Sequence, residues 1–286
     1  MVVVTGASTG IGAATARELA RRGFHVIAGV RRDNDADAIR GPGIEPLIVD
    51  ITDADHIKAL AARVNGEPKG RLVRALVNNA AVQANVPIEA FGIDEWRRMF
   101  EVNLFGQIAA TQALLPALFG SRGRVVNISS VGGKVAMAAY GPYAATKFAL
   151  EAVSDSLRRE LAPFGVDVVV VEPGAVRTEM LGRAIAGAQE LVSAMTPEQS
   201  RRYGGLVHAV NAQAASSTAS GVPPEAAAKV IAKAVTARKP RTRYTVGREA
   251  ALIRVTRFLP DRTLDRALAA ALRPHFPKVS TTRAGR

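Results

Sequence analysis

Short apolar runs at residues 2–4, 25–30, 46–49, 72–77, 124–128 and 166–171 alternate along the chain with longer segments of different rhythm. In four of those segments, 11–22, 54–64, 94–119 and 142–162, apolar residues recur at three- and four-residue spacing, the period of an amphipathic helix. Strand-like runs joined by helical crossovers imply a parallel sheet with helices on its faces, a doubly wound α/β architecture. One such domain is expected over residues 1–247. In an open sheet of this kind ligands bind outside the carboxyl ends of the strands, so chemistry is sought there.

The first run, Val2-Val3-Val4, leads directly into Thr5-Gly6-Ala7-Ser8-Thr9-Gly10-Ile11-Gly12 and then a helix. Glycines at these positions permit a tight turn and close backbone approach to a pyrophosphate, and the following helix offers unpaired N–H groups and a positive dipole end. With a strand before and a helix after, Gly6, Ser8, Thr9, Gly10, Ile11 and Gly12 are candidate dinucleotide-binding residues of a Rossmann fold. The second run ends in Val30-Arg31-Arg32. Val30 stands about 20 residues beyond the glycines, where an NAD site carries an acid for the ribose 2′-hydroxyl. Arg31 and Arg32 can instead pair with a 2′-phosphate through charge-assisted hydrogen bonds. NADP is the expected cofactor, with NAD as the alternative.

Tyr143 and Lys147 stand four apart near the start of the segment 142–162, which places both on one helix face. A tyrosine with a pKa near 10 is a poor base at neutral pH, and an adjacent ammonium favours its phenolate, which brings a proton shuttle within reach. Ser130 follows the run 124–128 and emerges at the carboxyl end of the sheet. Asn103 interrupts an apolar helical stretch, where a polar side chain needs a partner. Tyr140 has Ala144 four residues on and no lysine on its face, so it is set aside as the shuttle.

Together these motifs resemble the short-chain dehydrogenase/reductase family over about residues 1–180. Residues 5–12 are similar to its Thr-Gly-x-x-x-Gly-x-Gly cofactor loop, and Asp50, followed by Ile51, matches the acid that contacts the adenine. Asn78-Asn79-Ala80-Ala81 resembles the Asn-Asn-Ala-Gly motif that stabilises the sheet and lines the adenosine side, with Ala81 in place of the last glycine. The resemblance implies that Ser130 hydrogen-bonds the substrate oxygen and that Tyr143 transfers the proton. It also implies that Lys147 holds the nicotinamide ribose and lowers the tyrosine pKa, that Asn103 supports a relay water, and that Pro173, Gly174, Val176 and Thr178 lie near the nicotinamide. The implied reaction is hydride transfer between nicotinamide and a carbonyl or alcohol carbon. The stretch 143–180 looks most like the steroid and retinol dehydrogenase branch, which implies an apolar steroid-, retinoid- or long-chain-like substrate.

Residues 179–222 form an Ala-, Ser- and Gly-rich insertion expected to close as a lid, with Leu181, Ile185, Leu191, Met195, Leu206 and Val207 lining an apolar pocket. A helix at 224–236 and a strand at 242–246 follow. The chain carries a net charge of +13, and residues 238–286 hold thirteen Arg or Lys against Glu249, Asp261 and Asp265, so positive charge belongs to the tail rather than the catalytic body. Within the tail 248–286, Leu264, Ala267, Leu268, Ala271 and Leu272 recur at helical spacing among Arg254, Arg257, Arg262, Arg266 and Arg273. This pattern fits peripheral contact with an anionic membrane surface, packing on the body or a subunit interface. Nucleic-acid binding is not expected, and a homodimer or homotetramer is.

The absence of cysteine excludes disulfides and thiolate metal sites, and no metal is expected. No basic leader precedes the first strand, and no segment stands out as a span of about 20 apolar residues, so a cytoplasmic enzyme is expected. A sugar-nucleotide epimerase or dehydratase shares the fold and the Tyr-x-x-x-Lys pair but carries Thr-Gly-x-x-Gly-x-x-Gly. A non-catalytic NADP sensor would lose residues of the Asn103, Ser130, Tyr143, Lys147 set.

Overall fold

The computed structural model describes residues 1–247, 256 and 258–277. Within them one parallel sheet is built from β1 (Val2–Val4), β2 (Val26–Val30), β3 (Ile44–Ile48), β4 (Ala75–Asn78), β5 (Arg124–Ile128), β6 (Asp167–Pro173) and β7 (Arg243–Val246). Their spatial order is β3-β2-β1-β4-β5-β6-β7. The winding reverses between β1 and β4, and it is there that the crossovers diverge and leave a crevice at the carboxyl ends. Register brings Val4 beside both Ala28 and Val77, so the chain leaves β1, β2 and β4 at one edge of the sheet.

The helices are α1 (Gly10–Arg21), α2 (Asp33–Ile39), α3 (Ala54–Asn65), α4 (Ile93–Phe100), α5 (Gly106–Ser121) and α6 (Gly141–Leu161). They are followed by α7 (Glu179–Ala194), α8 (Pro197–Ala219), α9 (Pro224–Thr236) and α10 (Asp261–Leu272). The period-2 geometry of β1 sends Val2 and Val4 into one core with Leu19 and Ile231, and Val3 into the other with Leu60, Leu114 and Leu118. Both faces are covered, which is why the strands read as unbroken apolar runs rather than alternating ones.

The structure departs from the expected elements in three places. Helix α2 went unread because Asp33, Asn34, Asp35 and Asp37 mask a short helix that buries only Ala36 and Ile39. The single helix expected over 94–119 is α4 and α5 joined by a π-helical turn, Glu101–Phe105, which inserts the extra residue that turns Asn103 inward. The continuous run Ile93–Ser121 reaches a mean hydropathy of 1.3 over an 18-residue window, making it long and apolar enough by composition to cross a membrane. Its inner face, Leu104, Ala110, Leu114 and Leu118, is buried, while Phe105 and Phe119 are exposed.

The C-terminal stripe takes one of the three arrangements its pattern fits, packing on the body. Leu272 is buried against Ala139, Ala209 and Val210, Leu264 and Leu268 are half-buried, and the Gln213 amide donates to the Ala271 carbonyl at 3.2 Å. Helix α10 is therefore built onto α8, with Arg262, Arg266 and Arg273 exposed; Arg254 and Arg257 lie outside the described residues.

Arg124, the first residue of β5, is buried and donates to the Ala234 and Ala237 carbonyls at 2.6 and 3.0 Å, with Asp167 3.2 Å away. It satisfies the open C-terminal end of α9 and holds that helix on the sheet. Arg124→Met keeps the volume but removes the donors, and is expected to lower stability by about 2–3 kcal/mol in urea unfolding at unchanged m-value. A loss below about 0.5 kcal/mol would show that the Arg124 bonds do not hold α9.

Candidate active site

The cofactor loop is fixed from behind. Asn79 Nδ2 donates to the Thr5 and Gly6 carbonyls at 3.0 and 2.9 Å, and its backbone N–H donates to Thr5 Oγ1 at 3.0 Å. Gly6 and Gly10 have φ of 62° and 56°, in the left-handed region that favours glycine. Gly12 has no space for a side chain, since a Cβ would lie 2.2 Å from the Gly6 carbonyl oxygen. Thr9, the N-cap of α1, makes no side-chain cap bond, so the first-turn N–H groups are left for an anion at this end of the crevice. These features fit a dinucleotide pyrophosphate.

One cleft of about 380 Å³ gathers almost every residue expected from the sequence. Gly6, Ser8, Thr9, Gly10, Ile11 and Gly12 line it together with Arg31, Asp50, Ile51, Asn79, Ala80 and Ala81 and with Ser130, Tyr143, Lys147, Pro173, Gly174, Val176 and Thr178.

Of the expected catalytic and cofactor residues, Arg32 and Asn103 do not line it. Arg31 is the first residue past β2, whereas Arg32 is already the N-cap of α2, and successive side chains of an extended segment point to opposite sides. Asn103 is fully buried behind the wall. Its Oδ1 accepts from Val82 N at 2.8 Å, and its Nδ2 donates to the Val82 carbonyl at 2.8 Å and to Thr146 Oγ1 at 3.1 Å. The Asn103 amide thus clamps the segment after β4 to α6, with both Nδ2 protons donated and Oδ1 accepting once.

Helix α6 opens with Pro142 in its first turn and presents Tyr143 and Lys147 one turn apart. Lys147 is 1% exposed; its Nζ donates to the Ile128 carbonyl at 2.8 Å and lies 5.8 Å from the Tyr143 ring centre. Ser130 caps the 3-10 turn Val131–Gly133, accepting from Gly132 N at 3.0 Å, and hydrogen-bonds the Tyr143 side chain. Burial pushes the Tyr143 hydroxyl up to about 12, against the pull of Ser130. Burial also draws Lys147 down to about 8, with Glu151 opposing. The tyrosine pKa is therefore raised in the protein alone, contrary to the lowering that the family resemblance implied. Burial disfavours the charged form of each group.

Glu151, one turn beyond Lys147, is itself buried and receives Lys134 at 2.6 Å and Arg243 at 2.9 Å. This charge cluster behind the catalytic face was not read from the sequence, because Lys134 and Arg243 come from distant segments.

The substrate side differs from the apolar lid that was expected. Gln83, Met137, Tyr140, Met180, Arg183, Gln213, Ser217 and Thr218 line it, and Ile185, Leu191, Met195, Leu206 and Val207 do not. Leu191 packs beside Val86, Phe91, Met99 and Tyr143, and Leu206 against the Ala139 cluster, so these residues hold the insertion to the body. The side chain of Leu181 lies outside the described ones. In α8 the pairs Gln213/Ser217 and Ala214/Thr218 repeat at four-residue spacing and share the cleft-facing side, a polar stripe that the search for apolar residues passed over. Tyr140, set aside as the shuttle, lines the cleft three residues before Tyr143.

A family model described as short chain dehydrogenase matches residues 1–189. The chain is 34% identical over 273 residues to the NADPH-dependent 3-dehydrocapnine reductase of Ornithobacterium rhinotracheale, covering 92% of this chain and 94% of that protein. It is 35% identical over 284 residues to human retinol dehydrogenase 5, covering 95% and 88%. Its fold is similar to the crystal structure of a short chain dehydrogenase from Burkholderia cenocepacia in complex with NADP, with a TM-score of 0.71, 27% identity and coverage of 95% and 96%. With the glycine loop, the pinned Asn79 and the Tyr143–Lys147 pair in one cleft, the chain belongs to the short-chain dehydrogenase family.

Proposed function

We propose that the protein is an NADP-preferring oxidoreductase that interconverts a carbonyl and an alcohol on a substrate with an apolar body, with Tyr143 as the proton donor and acceptor. The observation that carries this reading is that Tyr143 and Lys147 line the same cleft as the open N-terminus of α1. The names of the reductase and retinol dehydrogenase relatives support it.

In this reading the nicotinamide supplies or accepts the hydride when bound. The first-turn N–H groups of α1 hold the pyrophosphate, Arg31 meets the 2′-phosphate and Lys147 reaches the ribose. Ser130 hydrogen-bonds the substrate oxygen, and Tyr143 delivers its proton to that oxygen as negative charge develops there. A tyrosine that is protonated at neutral pH needs no prior activation for reduction, whereas alcohol oxidation requires its phenolate.

Tyr143→Phe removes the transferable proton and none of the cofactor contacts. It is expected to lower kcat by about 10²-fold or more, with the NADPH Kd from fluorescence quenching within about twofold of wild type. Retention of a tenth of the activity would contradict the proton role.

The pH profile of reduction follows from Lys147. Its folded pKa is lowered to about 8, so the ammonium is present below pH 8 and lost above it. Steady-state kcat/KM with NADPH is expected to be flat through neutrality and to fall above about pH 8, while Tyr143, at about 12, sets no limit there. A profile flat to pH 9.5 would show that the lysine charge is not required.

NADPH is expected to be favoured over NADH by about tenfold or more in kcat/KM, about 1.4 kcal/mol. Arg31→Ala should bring that ratio close to one. A wild type that prefers NADH would overturn the assignment of Arg31.

A further inference from the structure

The 3-10 turn after β5 is seated directly on α6. Gly133 has no room for a side chain: a Cβ there would lie 2.6 Å from Ser129 Oγ, 3.2 Å from the Lys147 carbonyl oxygen and 3.2 Å from Glu151 Cγ. The turn that begins at Ser130 thus touches α6 between Lys147 and Glu151, and the next residue, Lys134, reaches over Glu151. Glu151 Oε2 accepts from Lys134 Nζ at 2.6 Å and from Arg243 Nε and Nη2 at 3.1 and 2.9 Å. Its Oε1 is buried and has no hydrogen-bond partner. A buried carboxylate oxygen without a donor is costly, and its negative potential falls on the nearest charge in the same dry layer.

One turn back on the same face of α6 stands Lys147, 1% exposed, whose Nζ bonds the Ile128 carbonyl. Among the charged groups around the pair, Lys134 comes from the turn, Arg243 from β7, Glu172 from β6 and Asp155 from the next turn of α6. Arg243 lies 3.3 Å from Glu172 and 2.8 Å from Asp155, and Lys134 lies 3.6 Å from Glu172. Asp155 also takes Arg158 at 2.9 Å. Arg124 and Asp167 pair at the opposite end of the sheet, Asp94, Glu95, Arg97 and Arg98 pair among themselves on α4, and Glu101 is exposed. On the cleft side burial raises the Tyr140 and Tyr143 hydroxyls and leaves them uncharged. Two buried carboxylates, Glu151 and Glu172, thus share the cations Lys134 and Arg243. Of these groups it is Glu151 that acts on Lys147, opposing the fall that burial imposes.

We infer that Glu151 is a positioning residue for the reaction: it keeps the Lys147 side chain charged across neutral pH, and Lys134 and Arg243, which grip its other oxygen, set how strongly it does so. This rests on the reading above in which the Lys147 ammonium is used, and adds the group that sustains it. Because the cluster is balanced, its two signs act oppositely on Lys147. Removing the Glu151 charge leaves Lys134 and Arg243 under-compensated near the ammonium and disfavours it. Removing the Lys134 charge releases Glu151 and favours the ammonium. A carboxylate that served only to hold the turn on α6 would give no such opposed pair.

The test reads the lysine itself. In protein labelled with carbon-13 at the lysine ε-carbons, the eight lysines of the chain are followed by NMR from about pH 6 to about pH 11, and the Lys147 signal is the one lost in Lys147→Arg. Glu151→Gln is expected to lower the Lys147 midpoint by about one pH unit and Lys134→Met to raise it by about half a unit, with Glu151→Asp, which keeps the charge, between wild type and Glu151→Gln. The alkaline fall of kcat/KM with NADPH should move in the same direction in each variant. NADPH Kd and the thermal midpoint report whether each variant is folded, and because the two charge removals fall on different elements, misfolding of one leaves the other to decide. An unmoved Lys147 midpoint in either folded variant, or shifts of the same sign in both, would overturn the inference. A wild type whose Lys147 titrates as expected while its reduction rate does not fall would be a different failure, since it would remove the use of the lysine charge in the reading above and the part of Glu151 in the reaction with it.

Discussion

The whole active cleft depends on an ammonium buried where an ammonium is least stable. Lys147 is almost completely enclosed, donates to the Ile128 carbonyl at the end of β5, and has Glu151 one turn behind it. A buried lysine tends to neutralise, and the remedy here is partial: a carbonyl in front, a carboxylate behind, and a pKa still well below its ordinary value. That carboxylate is in turn held by Lys134 and Arg243, so the order of charges runs from the sheet edge through α6 to the reacting face. A network of this kind is poor value for stability and is a common signature of a site where charge is used. Tyr143 takes its protonation state from the same dryness.

Dryness and rigidity come from the same source. The topological reversal between β1 and β4 opens the crevice, and two asparagines keep its walls in place: Asn79 ties the glycine loop to the end of β4, and Asn103 ties the segment beyond β4 to α6. Their contribution is to bring the cofactor half and the substrate half of the cleft to fixed positions, which is what proton transfer between heavy atoms about 3 Å apart demands.

Much of this was legible in the sequence, for reasons that are local. Strands buried on both faces leave unbroken apolar runs, a glycine loop between strand and helix has few uses, and Tyr143 and Lys147 lie within one helical turn, so their proximity is fixed by spacing alone. What was not legible depends on contacts between distant segments. The partners of Asn103 are Val82 and Thr146, and no local pattern says that both ends of its amide are engaged. The short acidic α2 hid because two buried side chains generate no period. The insertion was read through its apolar residues, and those turned out to anchor it, while the polar stripe of α8 faces the cleft. Tyr140 was discounted for lacking a lysine, although sharing a face with Tyr143 already brought it to the site.

The account stands on direct hydride transfer at one end of this cleft with proton delivery from Tyr143. The most direct measurement is a single turnover with NADPH stereospecifically deuterated at the transferring C4 position, followed by mass spectrometry and NMR of the alcohol formed. The account predicts one deuterium on the former carbonyl carbon, none exchanged into water, and the solvent-derived proton on oxygen. An alcohol free of deuterium, or label recovered in solvent, would contradict it.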